Sequence, residues 1–255
     1  MSVRNEKCVV LKNIRLSSDG FLIVLGSGEI SRQTLPGQFV EIGCLGKDMI
    51  LRRPFSVFDV SDNSISFFIK IVGKGSRWLS ELPEGYVVDL IGPLGNGFSL
   101  SSGKSLLIGG GCGIASLNLL AERLKQSGGK TDAIFGFSRP EEIPHEVIAG
   151  FRRKADNVVV TVDSGDYSTL GNVVDRLGEV SLDNYENFYC CGPVRMLKAL
   201  VPQLSARKTE VSLEARMACG IGVCYGCSIN TVFSIKRVCI DGPVFKMEEV
   251  IWDEL

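Results

Sequence analysis

Residues 217–239 read MACGIGVCYGCSINTVFSIKRVC, and this stretch contains four cysteines. Their spacing is C-x4-C-x2-C, followed after eleven residues by a fourth cysteine. Plant-type [2Fe–2S] clusters use the same three-cysteine loop with a more distant fourth ligand. We therefore predict that this stretch holds a [2Fe–2S] cluster through Cys219, Cys224, Cys227 and Cys239.

The glycines between these cysteines suit a loop that wraps closely around a cluster. Gly220, Gly222 and Gly226 allow close backbone approach and leave N–H groups free to point at sulfur. A structural zinc ion is an alternative, but zinc sites favour paired C-x2-C units, and only Cys224 and Cys227 form one. The spacing favours [2Fe–2S], while zinc, or thiols that bind no metal, stay open as alternatives.

The composition indicates a globular, cytoplasmic protein that binds neither nucleic acid nor membranes. The chain has 255 residues, of which 45% are hydrophobic and 22% charged, with a net charge of −1. It lacks the clustered Lys and Arg of nucleic-acid-binding proteins. The longest weakly polar stretch, residues 105–120, is shorter than the roughly 20 residues of a membrane span. The N-terminus has no signal-peptide core, and clustered cysteines in a reducing cytosol more often bind metal than form disulfides.

The hydrophobic pattern changes twice along the chain. The first hundred residues read as short β-branched and aromatic strands separated by turn residues, which predicts an all-β barrel or sandwich. From about residue 103 strands alternate with amphipathic helices, which predicts βαβ units and a parallel sheet. From about residue 211 the sequence is short, Gly-rich and Cys-rich, and a metal centre would supply the stability that its few apolar residues do not.

Two segments in the first hundred residues have features of a flavin site. Residues 52–56 read RRPFS, in which arginine and serine flank a bend fixed by proline and suit a phosphate. By themselves these residues would also suit an ordinary surface turn. About fifteen residues later the strand FFIKIV is followed by Gly73, Gly75 and Ser76, which suit a pyrophosphate cradle at the start of a helical turn.

Two glycine-rich motifs in the alternating region suggest a nucleotide site. Residues 107–113 read LIGGGCG, which resembles a dinucleotide loop without being a strict G-x-G-x-x-G, and which also suits a tight turn. Residues 189–193 read YCCGP at the end of the last strand. Cys191 is then at the carboxyl end of a parallel strand, where α/β proteins bind ligands, whereas Cys190 points to the other face.

Other polar residues near these motifs are interpreted as structural. The single histidine, His145, lies in a polar helical stretch, which favours a surface or helix-start position. Lys236 and Arg237, close to Cys239, are interpreted as a solvated loop, with an influence on the potential of the cluster or contact with a partner as the alternatives. We predict no catalytic side chain.

Taken in order, the motifs RPFS, GGGCG and CCGP resemble those of the ferredoxin-reductase superfamily. Within it, SLEARMACGIGVCYGC and KRVCIDGPVF are most similar to the cluster-binding segments of the electron transfer subunits of dihydroorotate dehydrogenase B. The resemblance implies a multidomain β + α/β fold. It consists of an antiparallel β-barrel FAD domain (1–100), a parallel-sheet α/β NAD domain (101–210) and a small C-terminal [2Fe–2S] module (211–255).

The resemblance also assigns cofactor-binding residues by motif. Two departures from the family pattern are Ser76, where Thr is usual, and Ser116, where Pro is frequent. The implied FAD residues are Arg53, Pro54, Phe55, Ser56, Lys70, Ile71, Val72, Gly75 and Ser76. The implied NAD residues are Gly109, Gly110, Gly111, Gly113, Cys191, Gly192 and Pro193.

The function that the resemblance implies is electron transfer in the biosynthesis of pyrimidines. Electrons would pass from the FMN of a dihydroorotate dehydrogenase catalytic subunit through the [2Fe–2S] cluster and FAD to NAD. The expected assembly is a heterotetramer with two copies of each subunit. The alternatives are a reductase subunit for ferredoxin, sulfide or a glutamate-synthase-like enzyme, and a non-catalytic zinc-binding interaction module.

Overall fold

The computed structural model describes residues 3–44 and 49–255. The first part of the chain forms an antiparallel sheet of seven strands in the spatial order β4-β3-β7-β1-β2-β6-β5, with two short helices. The strands are β1 (Arg4–Arg15), β2 (Gly20–Gly26), β3 (Phe39–Ile42), β4 (Arg53–Ser56), β5 (Asp59–Ser61), β6 (Ser64–Lys70) and β7 (Val87–Leu94). The helices are α1 (Glu29–Gln33) and α2 (Lys74–Ser80).

This sheet curls into a half-barrel because the two halves of its longest strand pair with different neighbouring strands. The first half of β1 pairs with β7 and the second half with β2, with an irregular register between Val10 and Lys12. Buried apolar side chains such as Phe21, Ile23 and Phe67 fill the inside. The predicted antiparallel barrel domain is therefore confirmed, in the form of a half-barrel.

The second sheet has six strands in the order β10-β9-β8-β11-β12-β15, and helices cover both of its faces. Its parallel strands are β8 (Ser105–Gly110), β9 (Thr131–Phe137), β10 (Asn157–Val162), β11 (Asn187–Cys191) and β12 (Thr209–Ser212). A hairpin of β13 (Ser228–Asn230) and β14 (Ile235–Arg237) precedes β15 (Val244–Lys246), which runs antiparallel to β12. The helices are α3 (Ile114–Gln126), α4 (His145–Lys154), α5 (Val173–Gly178) and α6 (Val194–Leu204).

Successive side chains of the parallel strands point to opposite faces of the sheet and pack in two separate hydrophobic cores. Cys191 packs in the cluster formed with α3 and α4, whereas Cys190 packs in the cluster formed with α5 and α6. This confirms that the two cysteines point to opposite faces. His145 is the exposed first residue of α4, as expected for a helix-start position.

The C-terminal segment is tied to both sheets. β12 spans residue 210, so the parallel sheet runs across the predicted boundary between the second and third domains. Asn96, just after β7, donates its side-chain N–H groups to the carbonyls of Ile240 and Asp241, which anchors the cysteine-rich segment to the half-barrel. Within residues 3–44 and 49–255, no helix is both long enough and apolar enough to cross a membrane.

Candidate functional site

The two glycine motifs of the α/β domain lie against each other. β8 and β11 are parallel neighbours, so the turns that follow them meet at one edge of the sheet. A Cβ built on Gly113 would lie 2.7 Å from the carbonyl oxygen of Cys191, and one built on Gly110 would lie 2.5 Å from the sulfur of Met196. The backbones of GGGCG and CCGP therefore approach more closely than side chains would permit.

A cavity of about 630 Å³ opens beside these turns. Gly111 has a φ of +54°, and a Cβ there would meet no atom within 4 Å, so its backbone is open to a ligand. Gly109 is buried instead and packs against Ile114 and Phe135. Glycine turns that expose backbone at the ends of parallel strands suit the phosphates of a dinucleotide. Of the residues assigned to NAD, those that line the cavity are Gly110, Gly111, Gly113, Gly192 and Pro193.

Besides Glu214, three acidic side chains line the same cavity, namely Glu142, Asp163 and Asp175. Asp163 follows β10, which is separated from β11 by β9 and β8. Asp163 is an exposed residue, but partial desolvation of its carboxyl group raises its pKa, and the nearby carboxylates of Glu142 and Asp175 raise it further. This part of the cavity is therefore unfavourable for an additional negative group on the ligand.

A second cavity, of about 290 Å³, lies between the half-barrel and the α/β domain. The RPFS strand β4 contributes Pro54, Phe55 and Ser56, and Lys70 and Val72 complete this side. This apolar slot is open toward the nucleotide cavity, which suits the ring system of a flavin. Three side chains line both cavities, namely Lys70, Cys112 and Glu214.

The other residues assigned to FAD support this cavity from behind. The Arg53 side chain packs on Gly75, where an added Cβ would lie 3.1 Å from Nε. The Ser76 hydroxyl accepts the N–H groups of Val72 (2.9 Å) and Gly73 (3.1 Å), which fixes the turn between β6 and α2. Ile71 packs against the core of the half-barrel.

Glu214 is a residue of the junction that the sequence did not reveal. It follows β12 closely, at the carboxyl end of a parallel strand, where ligands of α/β folds bind. The protein groups around its carboxyl group in the cleft desolvate it and raise its pKa, although the residue as a whole is exposed. Recognising β12 as a strand would have pointed to Glu214, but a strand of only four residues, TEVS, gives no clear signal.

The four cysteines approach one another in two pairs. The sulfur of Cys219 accepts the N–H of Cys224 at 3.4 Å, and the thiols of Cys227 and Cys239 are near enough to affect each other's ionisation. The pKa of Cys219 falls to about 6, because backbone N–H groups of the loop, first that of Cys224, outweigh its partial desolvation. Burial raises the pKa of Cys239 to about 12.

This paired arrangement fits a binuclear cluster. In the part of the chain that the structure describes, no group of three or more His, Cys, Asp or Glu side chains is placed to hold a metal ion. The pairs Cys219–Cys224 and Cys227–Cys239 would instead supply two thiolates to each of two irons, which is the ligand set of a [2Fe–2S] cluster.

The cysteine loop is braced from one side and exposed on the other. Arg237 donates to the carbonyl of Gly222 at 2.9 Å and lies over the ring of Tyr225, so the interpretation of Arg237 as part of a solvated loop is wrong. On the outside, Cys224 is exposed. The stretch 221–235, which contains Cys224, includes six exposed apolar side chains that we call the loop surface, namely Ile221, Val223, Tyr225, Val232, Phe233 and Ile235.

Together, the half-barrel with its apolar cavity, the glycine-lined cavity of the α/β domain and the four-cysteine loop are the features of an iron–sulfur flavoprotein with a ferredoxin-reductase fold. The family model for the iron–sulfur cluster binding domain of dihydroorotate dehydrogenase B matches residues 214–251. The chain is 35% identical to the dihydroorotate dehydrogenase B (NAD(+)) electron transfer subunit of Fusobacterium nucleatum, with 96% of this chain and 98% of the relative covered. It is 32% identical to the subunit of Shouchella clausii, with 98% and 100% covered. The chain therefore belongs to the family of dihydroorotate dehydrogenase B electron transfer subunits.

Solved structures support the same class. A chain from the structure of an NADH-dependent reduced ferredoxin-NADP oxidoreductase superposes with a TM-score of 0.87 at 32% identity, with 97% of this chain and 91% of that chain covered. The ferredoxin reductase of carbazole 1,9a-dioxygenase superposes with a TM-score of 0.68 at 24% identity, with 82% and 67% covered, and shows the fold alone. The predicted family, fold class and electron-transfer function are confirmed, and the matches support the predicted cofactors FAD, [2Fe–2S] and NAD.

Proposed function

We propose that this chain carries electrons between NAD and the FMN of a dihydroorotate dehydrogenase catalytic subunit. The observation that carries the proposal is the continuity of the sites. The nucleotide and flavin cavities share Lys70, Cys112 and Glu214, and Glu214 is only five residues before Cys219. When bound, a flavin exchanges hydride with a nicotinamide and single electrons with a cluster.

The residues of the chain hold and orient these groups. Gly111 and Gly113 would let the nucleotide approach the backbone closely at the edge of the sheet. Ser76 would hold the turn between β6 and α2 beside the flavin. Lys70 lies 2.7 Å from Asp19 and 3.2 Å from Glu142, so its ammonium group is held at the junction of the cavities. These ion pairs outweigh partial desolvation and raise the pKa of Lys70, which keeps a positive charge beside the bound cofactors.

The loop surface is our proposed contact with the catalytic subunit. Exposed apolar side chains near a ligand cysteine would exclude water from the interface and bring the cluster close to the partner. Single exposed apolar residues elsewhere on a surface do not indicate an interface. We expect a cytoplasmic heterotetramer with two copies of each subunit. Its reaction would remove two electrons and two protons from dihydroorotate, pass a hydride equivalent to NAD and release one proton.

Reconstitution with the FMN-containing catalytic subunit tests this proposal. We expect a stable complex in which dihydroorotate reduces NAD, while Phe233→Asp weakens the complex at least about tenfold because it buries a charge. Val159→Asp is the matched control, since Val159 is also exposed but lies on β10, away from the loop surface. Equal assembly of the two variants would contradict the proposed contact.

A second candidate partner is a ferredoxin-linked enzyme. The similarity to the NADH-dependent ferredoxin-NADP oxidoreductase covers the chain as fully as the similarity to the dihydroorotate dehydrogenase B subunits. Isolation of the native complex distinguishes the two. A partner that contains FMN and oxidises dihydroorotate supports the first candidate, whereas a partner that exchanges electrons with ferredoxin supports the second.

A further inference from the structure

Glu41 is a buried acid of the half-barrel. It lies in the middle of β3 and is 1% exposed. Within the described residues neither oxygen of its carboxyl group has a hydrogen-bond partner. Burial of an unpaired carboxyl group is destabilising, so a side chain of this kind requires a functional explanation.

The carboxyl group lies between the flavin strand and the cysteine loop. In the sheet, Glu41 is directly opposite Pro54 of the RPFS strand. On its other side, a Cβ built on Gly220 would lie 2.6 Å from Cγ and 2.8 Å from Oε1 of Glu41. Gly220 follows Cys219, so the buried side chain of Glu41 packs against the start of the cluster loop.

Charged groups act on Glu41 from two elements. Burial has the largest effect and raises the pKa of the Glu41 carboxyl to about 7. Arg52 and Arg53 on the preceding loop and β4 favour its ionised form, whereas the charge of Cys219 opposes it. The carboxylate and the Cys219 sulfur are therefore near enough to interact through a medium of low polarity.

We infer that the negative charge of Glu41 lowers the reduction potential of the cluster and so favours movement of its electron toward the flavin. Addition of an electron beside a fixed negative charge is less favourable, and net charge and burial around the sulfurs set the potential of such clusters. In this role Glu41 would act through its electric field and not as a ligand of the cluster. The inference depends on the proposed function, because it requires the cluster to be present.

The test is a redox titration of the cluster in the full holoprotein, monitored by electron paramagnetic resonance. The titration is carried out at pH 9, where a carboxyl group is ionised. In Glu41→Gln we expect the ratio of reduced to oxidised cluster at a fixed potential to increase about tenfold, which corresponds to about 59 mV for one electron. Glu41→Asp retains the charge and should stay close to the unsubstituted chain. A Glu41→Gln potential equal to that of the unsubstituted chain would overturn the inference.

Two further variants separate the effect of charge from an effect on folding. Glu6→Gln removes an acid of the same half-barrel that accepts the Ser27 hydroxyl and the N–H of Ile30, and should lower stability without changing the potential. Glu41→Met replaces the acid by an apolar side chain of similar length and should raise the potential as Glu41→Gln does. If both neutral variants lose the cluster while Glu41→Asp retains it, Glu41 serves assembly and the inference is overturned. If the unsubstituted chain binds no cluster, the proposed function fails first.

Discussion

Gly113 of the GGGCG turn packs directly on the backbone of Cys191: a Cβ at Gly113 would lie 2.7 Å from the Cys191 carbonyl oxygen. The neighbouring atoms belong to backbone, which cannot move aside. We predict that Gly113→Ala separates the two turns and weakens NADH binding at least about tenfold, or about 1.4 kcal/mol. Gly178→Ala, at a site where a Cβ meets nothing within 4 Å, is the control. Titration of both variants with NADH checks this, and the FAD and iron contents should be unchanged.

Gly220 combines a positive φ of +66° with the contact to Glu41. An alanine there would be strained by about 1–2 kcal/mol from the backbone alone, before the clash is counted. We predict that Gly220→Ala lowers the iron and sulfide content per chain. Gly226→Ala should retain the cluster, since its Cβ would make only a 3.5 Å contact with the Cys224 sulfur. Equal iron content in the two variants would show that the loop adapts to the substitution.

The acidic side of the nucleotide cavity predicts a preference for NADH over NADPH. The 2′-phosphate of NADPH would add negative charge beside Asp163 and Asp175, whereas Glu142 is paired with Lys70 and Arg139. Removing one unit charge at short range changes the interaction by on the order of 1–2 kcal/mol. Asp163→Asn should therefore raise the rate of flavin reduction by NADPH, relative to NADH, about tenfold. Asp166→Asn, an acid of the same loop that is not among the residues lining the cavity, should leave the ratio unchanged.

The lowered pKa of Asp132 predicts that the stability of the protein depends on pH. Burial alone would raise its pKa, but hydrogen bonds from Lys104, Tyr185 and Asn157 outweigh burial and lower it below 3.8. A lowered pKa in the folded state stabilises the protein above the unfolded-state pKa, and this contribution is lost as the pH falls through the folded-state value. We expect Asp132→Asn to cost about 2 kcal/mol at pH 7 and less at pH 3, which lies below the unfolded-state pKa.

Chemical unfolding at the two pH values measures this difference. Asp183→Asn is the control for Asp132→Asn, because the Asp183 side chain is 88% exposed in its ion pair with Arg207. Exposed pairs contribute only about 0–1 kcal/mol. A constant loss of stability for Asp132→Asn from pH 7 to pH 3 would show that its charge is not responsible.

The sequence was sufficient to predict the fold class and the motifs because each depends on local pattern. Alternation of strands and helices indicated the parallel sheet, and the C-x4-C-x2-C spacing indicated the cluster loop. The opposite directions of Cys190 and Cys191 followed from the twofold periodicity of a strand. These features need no knowledge of long-range contacts.

The residues that the sequence did not reveal depend on long-range packing. Glu214 reaches the junction only because β12 joins the sheet beside β11, and β12 is too short to be recognised. The position of Glu41 under the cluster loop depends on the contact between the half-barrel and a segment almost 180 residues later. Arg237 was interpreted as solvated because its contacts with Gly222 and Tyr225 form only in the folded loop.

The most direct test of the redox function is an anaerobic absorbance spectrum of the purified chain, with iron, sulfide and flavin analysis, before and after addition of NADH. We predict one FAD and one cluster of two irons and two sulfides per chain, both bleached by NADH. Zinc in place of iron, or the absence of flavin from protein purified anaerobically, would contradict the account and leave the four cysteines with a structural role.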